Sequence, residues 1–473
     1  MNESAGLGDS SSQRQPNAPF RFSFRTPVDR RWSCVLGIIA FTLTLTSFLQ
    51  AASQRGVLHS PPTADGDEAD YERLGYHLAA GDGFGHISEG MHSQKTPEQF
   101  IPTAYRPPGF PFLIAAVYQV RPSDYFLIRL LNCVACSLAS GLVAAYFARE
   151  FSAAASLGVG LLGSLDPRLR EFAGTFLTEN LATLLLCLFA ISFTRLMMNG
   201  TRWNAALCGL SLSALVCVRS FYVAWYPIIW IVTALVLLVS WRFWFWTDRR
   251  NLGRSQGFMA FLIFAFTSVL LTGPWWIRNC LVLEAVMPTG TQGGIGIADG
   301  FSESAWKNNG SWTSETAGRI AEAMRQDPAC QNLTPLEFER EHSRRGSASA
   351  RQWIRENLAR VPKLTFWKFC RLWEIGESRS QMVLFSAMIA GLLIARRNPL
   401  AQTLVLLLLL NTLTVMATYH TYERFMTPFR PLIHGFAVVA MLAVIPRRRR
   451  PSEQADSNST ADCSQTSLKN QLS

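Results

Sequence analysis

The sequence predicts an all-α polytopic membrane protein of about ten transmembrane helices, with two outside loops carrying juxtamembrane helices. Three observations predict it. The 473 residues are 49% hydrophobic and only 16% charged, whereas soluble domains run at about a quarter charged. Apolar runs long enough for a bilayer core of about 30 Å recur along the chain. Short basic clusters stand beside those runs, RR at 30–31, 249–250 and 396–397 and RRRR at 447–450, as cytoplasmic flanks do. The formal charge of +11 is therefore a topological signal, and nucleic acid is excluded as a partner.

Residues 1–32 are rich in Ser, Gln, Pro and Arg and read as a disordered cytoplasmic tail. The membrane domain covers 33–446. Its first span, about 33–51, has a basic flank and no short apolar region with a cleavage site, so it reads as a retained anchor. Residues 52–107 form the first outside loop, rich in Gly, Pro, His and acid. The apolar part of "PPGFPFLIAAVYQV", 107–120, is too short to span alone and reads as a juxtamembrane or half-inserted helix. Spans follow at about 125–147, 153–166, 174–197, 204–219, 221–241 and 257–276. The second outside loop, 277–380, contains "LEFEREHSRRGSASARQWIRENLARVPKLTFWKFCRLWE". Its spacing of apolar residues fits an amphipathic helix pair on the outer face, or an ordinary solvated helix. Three more spans lie near 382–395, 399–418 and 430–446, before a second disordered cytoplasmic tail, 447–473.

Charge tests the count. With the amino terminus inside and 107–120 not crossing, Arg149, Arg195, Arg202, the 249–254 cluster, Arg396, Arg397 and the last four arginines all fall inside. An eleventh span at 107–120 is the alternative, and it would invert every span after it.

Charges at a membrane face cost energy unless they do something. On the predicted outer side lie Asp65, Asp67, Glu68, Asp70, Arg106, Asp166, Arg168, Glu179, Arg219, Arg278, His420, Arg424 and Arg430. This reads as one ring of acid and base at one depth. A substrate arriving from the lipid with a phosphate and hydroxyls would need it: arginines for the phosphate, a carboxylate for an acceptor proton. Arg106, Arg219 and Arg424 lie where topology has no use for arginine, and are the candidate phosphate ligands. Simpler roles stand beside these. The acids of 65–72 fit a solvated loop, Asp166 an Asx turn with Pro167, Glu179 a cap with Thr175, and Arg219 a snorkelling side chain.

Other chemistry is poorly supported. "GTQGGIGIADG", 290–300, lacks the strand-to-helix context of a nucleotide loop and reads as a flexible loop over a site. The histidines show no zinc spacing, and the Cys133-x-x-Cys136 pair lies inside an apolar run. Cys280, Cys330 and Cys370 leave room for one disulfide. No cofactor is called for, although the Asp65, Asp67, Glu68 and Asp70 cluster leaves a divalent cation open.

The order of several short motifs resembles the GT-C superfamily of polytopic glycosyltransferases. It is similar in particular to the branch of RgtA/B/C/D-like enzymes, protein mannosyltransferases and aminoarabinose transferases. The motifs are "DEADY", "YRPPGFPFLIAAVY", "FLTENLATLLL", "GPWWIRNCLVLEAVMPTGTQGG" and "ERFMTPFRPLI", in order across about 33–446. The resemblance implies a polyprenyl-phosphate sugar donor, an inverting displacement and a first-loop acid as base. That acid corresponds to Asp67, with Glu68 as the alternative, because the pattern places it four positions before Tyr71. The basic residue before Pro-Pro corresponds to Arg106, and the late motif to Arg424, Phe425 and Pro428. The large soluble domains of some relatives have no counterpart here, which assigns acceptor recognition to 277–380.

The implied function is sugar transfer from a polyprenyl-phosphate donor to a glycan, lipid or protein acceptor. It is expected on the outer side of a bacterial cytoplasmic membrane, with membrane lipids as the other partners. The alternative is a polytopic transporter or lipid flippase, which predicts inverted repeats and helices broken near mid-membrane.

Overall fold

A computed structural model describes residues 27–87, 100–239, 253–419 and 422–445. The tails up to 26 and from 446, the arginines at 249–250 and 447–450, and His420 lie outside the described residues. The amino-terminal tail ends earlier than its composition implies. Asp29 caps the first helix by accepting from the Trp32 N–H, so Arg30 to Trp32 are already helical.

The chain is a bundle of apolar helices with a smaller helical layer over one face. The bundle comprises α1 (Arg30–Gln54), α4 (Tyr125–Glu150), α5 (Ala153–Leu165), α7 (Glu179–Asn199), α8 (Arg202–Val218), α9 (Tyr226–Leu238), α10 (Arg254–Val269), α11 (Thr272–Leu283), α17 (Arg379–Ile394), α18 (Pro399–Ala417) and α19 (Arg430–Val444). Between α1 and α4 lie α2 (Asp67–Ala80), strands β1 (Gly85–Ile87) and β2 (Phe100–Pro102), which pair antiparallel, and α3 (Gly109–Val120). The short α6 (Pro167–Phe172) precedes α7. The outer layer continues with α12 (Gln292–Gly300), α13 (Glu303–Lys307), α14 (Glu315–Gln326), α15 (Pro335–Glu356) and α16 (Val361–Leu372).

Each of the ten expected spans has a helix. Among the described residues six are long and apolar enough to cross a membrane alone: α1, α4, α7, Ser220–Leu238 (which contains α9), α18 and Thr427–Val444 (which contains α19). One more span is the pair α10 and α11, bent by 43° at residues 270–271. The remaining three, α5, α8 and α17, are apolar but shorter. Polar caps fix several starts: Asp124 for α4, Ser152 for α5 and Asn398 for α18.

Segment 107–120 contains α3, whose 12 residues extend about 18 Å, short of a bilayer core of about 30 Å. Gly109 at the start of α3 abuts the Cys217 carbonyl at the end of α8. After α3 the chain re-enters at α4, whose Arg129 donates to the carbonyls of Ser60, Pro61 and Gly174. Helix α3 packs on α2.

Small residues bring helix backbones close, as is usual where lipid offers no hydrophobic drive between helices. Gly37 of α1 faces Gly141 and Ala145 of α4, Gly209 of α8 faces α10 at Phe264 and Thr267, and Gly391 of α17 meets the Phe436 carbonyl of α19. Phe147, Phe189, Phe193, Trp225 and Phe429 fill the centre and are fully buried. The outer segment holds the expected amphipathic helices α15 and α16. A capping box starts α15, in which Thr334 and Glu337 satisfy each other's backbone N–H groups.

Candidate active site

The ends of five segments meet in a cleft between the bundle and the outer layer. Asp67 opens α2, Arg106 precedes α3, Glu179 opens α7, Arg219 follows α8 and Arg424 precedes α19. Arg106 donates to Asp67 Oδ1 at 2.6 Å and to Asp70 Oδ2 at 2.6 Å and 3.1 Å. Arg424 donates to Asp67 Oδ2 at 2.5 Å and through Nε to Glu179 Oε1. Arg219 donates to the same Glu179 oxygen at 2.9 Å. The result is a continuous chain: Asp70, Arg106, Asp67, Arg424, Glu179, Arg219.

The two central acids are tied down. Glu179 is fully buried, a position that is tolerable for a carboxylate only when it is paired. Burial pushes the Asp67 carboxyl up, but the Arg106 and Arg424 guanidiniums outweigh it and hold the group at about 2. Both Asp67 oxygens are thus occupied by charge-assisted hydrogen bonds. The Arg106 guanidinium also lies over Tyr71 and Tyr105, at 5.3 Å and 4.8 Å from the ring centres. Arg219 lies 5.4 Å from the Phe425 ring centre.

The cleft is lined by Asp67, Tyr71, Tyr105, Arg106, Arg219, Phe221, Arg424 and Phe425 on the bundle side. The outer layer adds Gln292, Ile295, Gly296 and Asp299 of α12 with Trp312, and Tyr419 follows α18. It encloses about 170 Å³. Asp299 is 3% exposed and accepts from the Ala317 N–H at 2.9 Å. Burial, opposed by the Ala317 and Thr316 amides, raises its carboxyl to about 6.

The glycine-rich stretch is not a flexible loop. Residues 292–300 form α12, wedged between α15 and the chain at 418–419. A Cβ at Gly294 would lie 2.3 Å from Ser343, and one at Gly300 would lie 2.1 Å from the Thr418 carbonyl. Glycine here buys close approach. One acid staples α12 to the first outer segment: Glu339 of α15 accepts from Thr103 Oγ1 and Thr291 Oγ1, both at 2.5 Å, and from the Ala104 N–H at 3.1 Å.

Several charged candidates lie elsewhere. Glu68 faces away from the cleft, accepting from the Phe176 and Thr63 N–H groups. Asp65 is exposed. Arg278 is a tether, donating to the carbonyls of Thr103 and Phe84 and stacking on Trp275. Asp166 caps α6, as an Asx motif should, and its other oxygen accepts from Arg430 and faces His434, both at 2.7 Å. Arg430 also reaches Glu374 and Gln381. The single expected ring is therefore two clusters, one lining the cleft and one enclosed at the ends of α5, α17 and α19. Thr175 does not cap Glu179; its hydroxyl donates to the Phe172 carbonyl.

Among the described residues no group of three or more His, Cys, Asp or Glu side chains is placed to hold a metal ion. The first-loop acids explain why. Asp67 and Asp70 are turned onto Arg106, and Glu68 onto backbone amides. The cysteines of the described residues are free.

The fold and this cleft define a polytopic helical membrane protein with an arginine–carboxylate site at one face. No protein-family model matches the chain, and no curated protein matches it in sequence. Solved structures are similar in overall course. The archaeal oligosaccharyltransferase AglB from Archaeoglobus fulgidus, in complex with an inhibitory peptide and a dolichol-phosphate, matches at TM-score 0.48 and 11% identity. The match covers 91% of this chain and 54% of AglB, so this chain spans about half the length of that protein. ArnT from Cupriavidus metallidurans, bound to undecaprenyl phosphate, matches at TM-score 0.34 and 13% identity over 88% of this chain and 78% of ArnT. Its apo state gives TM-score 0.33 at 13% identity, over 88% and 77%. At these scores neither the sites nor the chemistry of those proteins carries over to this chain.

Proposed function

We propose that the protein is an inverting glycosyltransferase that moves a sugar from a polyprenyl-phosphate donor to an acceptor at the outer face of the membrane. The observation that carries this is the convergence of Arg106, Arg219 and Arg424, from segments far apart in sequence, on Asp67 and Glu179 in one cleft. Three guanidiniums at the end of a helix bundle suit a phosphate presented from lipid.

In this reading the donor phosphate takes over guanidinium hydrogen bonds that Asp67 accepts in this structure. Released from two cations, the Asp67 carboxylate accepts the proton of the acceptor hydroxyl. The acceptor oxygen bonds to the anomeric carbon as the bond from that carbon to the phosphate oxygen breaks. The electron pair leaves with the lipid phosphate, and the arginines stabilise the charge. A phosphate is already a competent leaving group, so the step does not depend on a metal. The one bent pair among the described residues, α10 and α11, lies outside the cleft lining, so the charged site is not built on the broken helix that a transporter reading would use.

The test compares envelope glycans by mass spectrometry with and without the protein, then measures transfer in membranes fed a polyprenyl-phosphoryl sugar. Loss of one glycan substituent, and loss of transfer with Arg106→Ala, Arg219→Ala or Arg424→Ala, are expected. Hydrogen bonds to charged groups are worth about 1.5–3 kcal/mol, so each variant should weaken donor use by roughly tenfold to a hundredfold. Unchanged glycans, or variants that lose acceptor affinity while keeping the donor KM, would remove the assignment. Sidedness is tested by labelling single cysteines near 320 and 250 with an impermeant reagent. Only the first should react.

A further inference from the structure

The wall opposite the arginines differs from them chemically. It consists of one carboxylate, one amide and aromatic rings: Asp299 and Gln292 on α12, with Trp312 and Tyr419 beside them. Asp299 is the odd acid of the cleft. Asp67 and Glu179 each carry two arginines, whereas Asp299 has no salt-bridge partner among the described residues and is held by the backbone at Ala317. A nearly buried carboxylate that faces an open cleft without a cation is costly, and a ligand with hydroxyl donors would offset that cost. The nearby rings supply the rest. A sugar has a polar rim of hydroxyls and apolar C–H faces, and the rings of Trp312 and Tyr419 offer rigid apolar surface to those faces.

We infer that Asp299, with Gln292 and Trp312, forms a sugar-ring subsite: the carboxylate and amide bind ring hydroxyls, and the indole covers a C–H face. This inference rests on the glycosyl-transfer reading and extends it by assigning the group that recognises the carbohydrate. Architecture supports it. Gly296 lets α12 lie against the Tyr419 ring, where a Cβ would be 2.8 Å away, and the Glu339 staple fixes α12 relative to the segment bearing Arg106. The sugar wall and the phosphate wall are thereby held at a set separation. A subsite built around a carboxylate should also reject deoxy sugars strongly, because the acid would then be left without a donor.

The experiment uses the full chain in lipid nanodiscs. Affinities are measured for bare undecaprenyl phosphate, for a panel of undecaprenyl-phosphoryl hexoses and pentoses, and for the corresponding free saccharides with bare lipid phosphate present. Wild type should prefer at least one sugar-bearing ligand over bare phosphate by tenfold or more. Asp299→Asn, which keeps an acceptor for the Ala317 N–H, and Trp312→Ala should each erase most of that preference. Both should leave the affinity for bare undecaprenyl phosphate within about twofold. Loss of the preference for the lipid-linked sugar assigns the subsite to the donor, and loss confined to free saccharide assigns it to the acceptor; either upholds a sugar subsite. Full retention of sugar preference in both variants would overturn it. Failure of wild type to bind bare undecaprenyl phosphate would instead overturn the glycosyl-transfer reading, and the subsite with it.

Discussion

Replacing Asp67 by asparagine should have two opposite effects, and the pair is more telling than either alone. The carboxylate accepts from Arg106 at 2.6 Å and from Arg424 at 2.5 Å, so it competes with an incoming phosphate for the same donors. Asparagine has the same shape but no charge, and it retains one acceptor oxygen. Both guanidiniums therefore lose their charged partner on this residue, and only one of them keeps an acceptor there. A charge-assisted hydrogen bond is worth about 1.5–3 kcal/mol, part of which the Asn oxygen and water recover. The variant should consequently bind undecaprenyl phosphate on the order of tenfold more tightly, about 1.4 kcal/mol. Turnover should fall on the order of a hundredfold or more, because the proton acceptor is gone. Binding to protein in nanodiscs, and transfer in the same preparation, give the two numbers. Weaker phosphate binding would refute the competition and make Asp67 a structural residue. Near-normal turnover would refute its role as base and direct attention to other acids of the cleft.

Three further outcomes follow from the geometry. Arg430→Met should strip the main cation from buried Asp166 and Glu374, destabilising by about 3–5 kcal/mol; thermal unfolding should drop sharply while turnover per folded molecule stays close to wild type. Glu339→Ala should lower both donor affinity and unfolding temperature, since it releases Thr103, Ala104 and Thr291 together, and Glu339→Gln should lose less of each. Asp299→Asn should be more stable than wild type at pH 7.5 by about 1–3 kcal/mol and nearly equal at pH 4. Its carboxyl lies at about 6 when folded against roughly 3.9 unfolded, so its contribution is present below about 4 and lost as pH rises through 6. Unfolding curves at the two pH values check the sign.

The bundle was legible because its signal is repeated and local: apolar runs, capping residues and basic flanks each act within a few residues. The shortness of the apolar run at 107–120 was equally legible, and it forms the 12-residue α3, whose Gly109 abuts the Cys217 carbonyl. The arginines that converge could be found because arginine at an outer helix end is anomalous whatever its partners. Partnership itself was not legible. Asp166 and Arg430 look like Asp67 and Arg424 in sequence, each a charge at or close to a helix end. Only their depth separates an enclosed lock from an open site. Asp299 was passed over because its neighbours are glycines, which suggest mobility in a sequence and allow close packing in a fold. Glu339 gave no signal, since its three partners lie 48 or more positions away.

The order in which the site charges appear along the chain bears on how the protein is made. Asp67 meets Arg106 after 39 positions, and Glu179 meets Arg219 after 40, roughly the length of one helical hairpin. Arg424, separated from the same two acids by 357 and 245 positions, arrives only before the final helix. A growing chain therefore gives each acid a near neighbour of opposite sign soon after that acid is synthesised. Glu179 does not wait in an apolar setting for the carboxy-terminal third of the protein. Of the five charges at the centre of the site, Arg424 is the last to be synthesised, and it joins two acids that each already have a partner of opposite sign nearer in sequence.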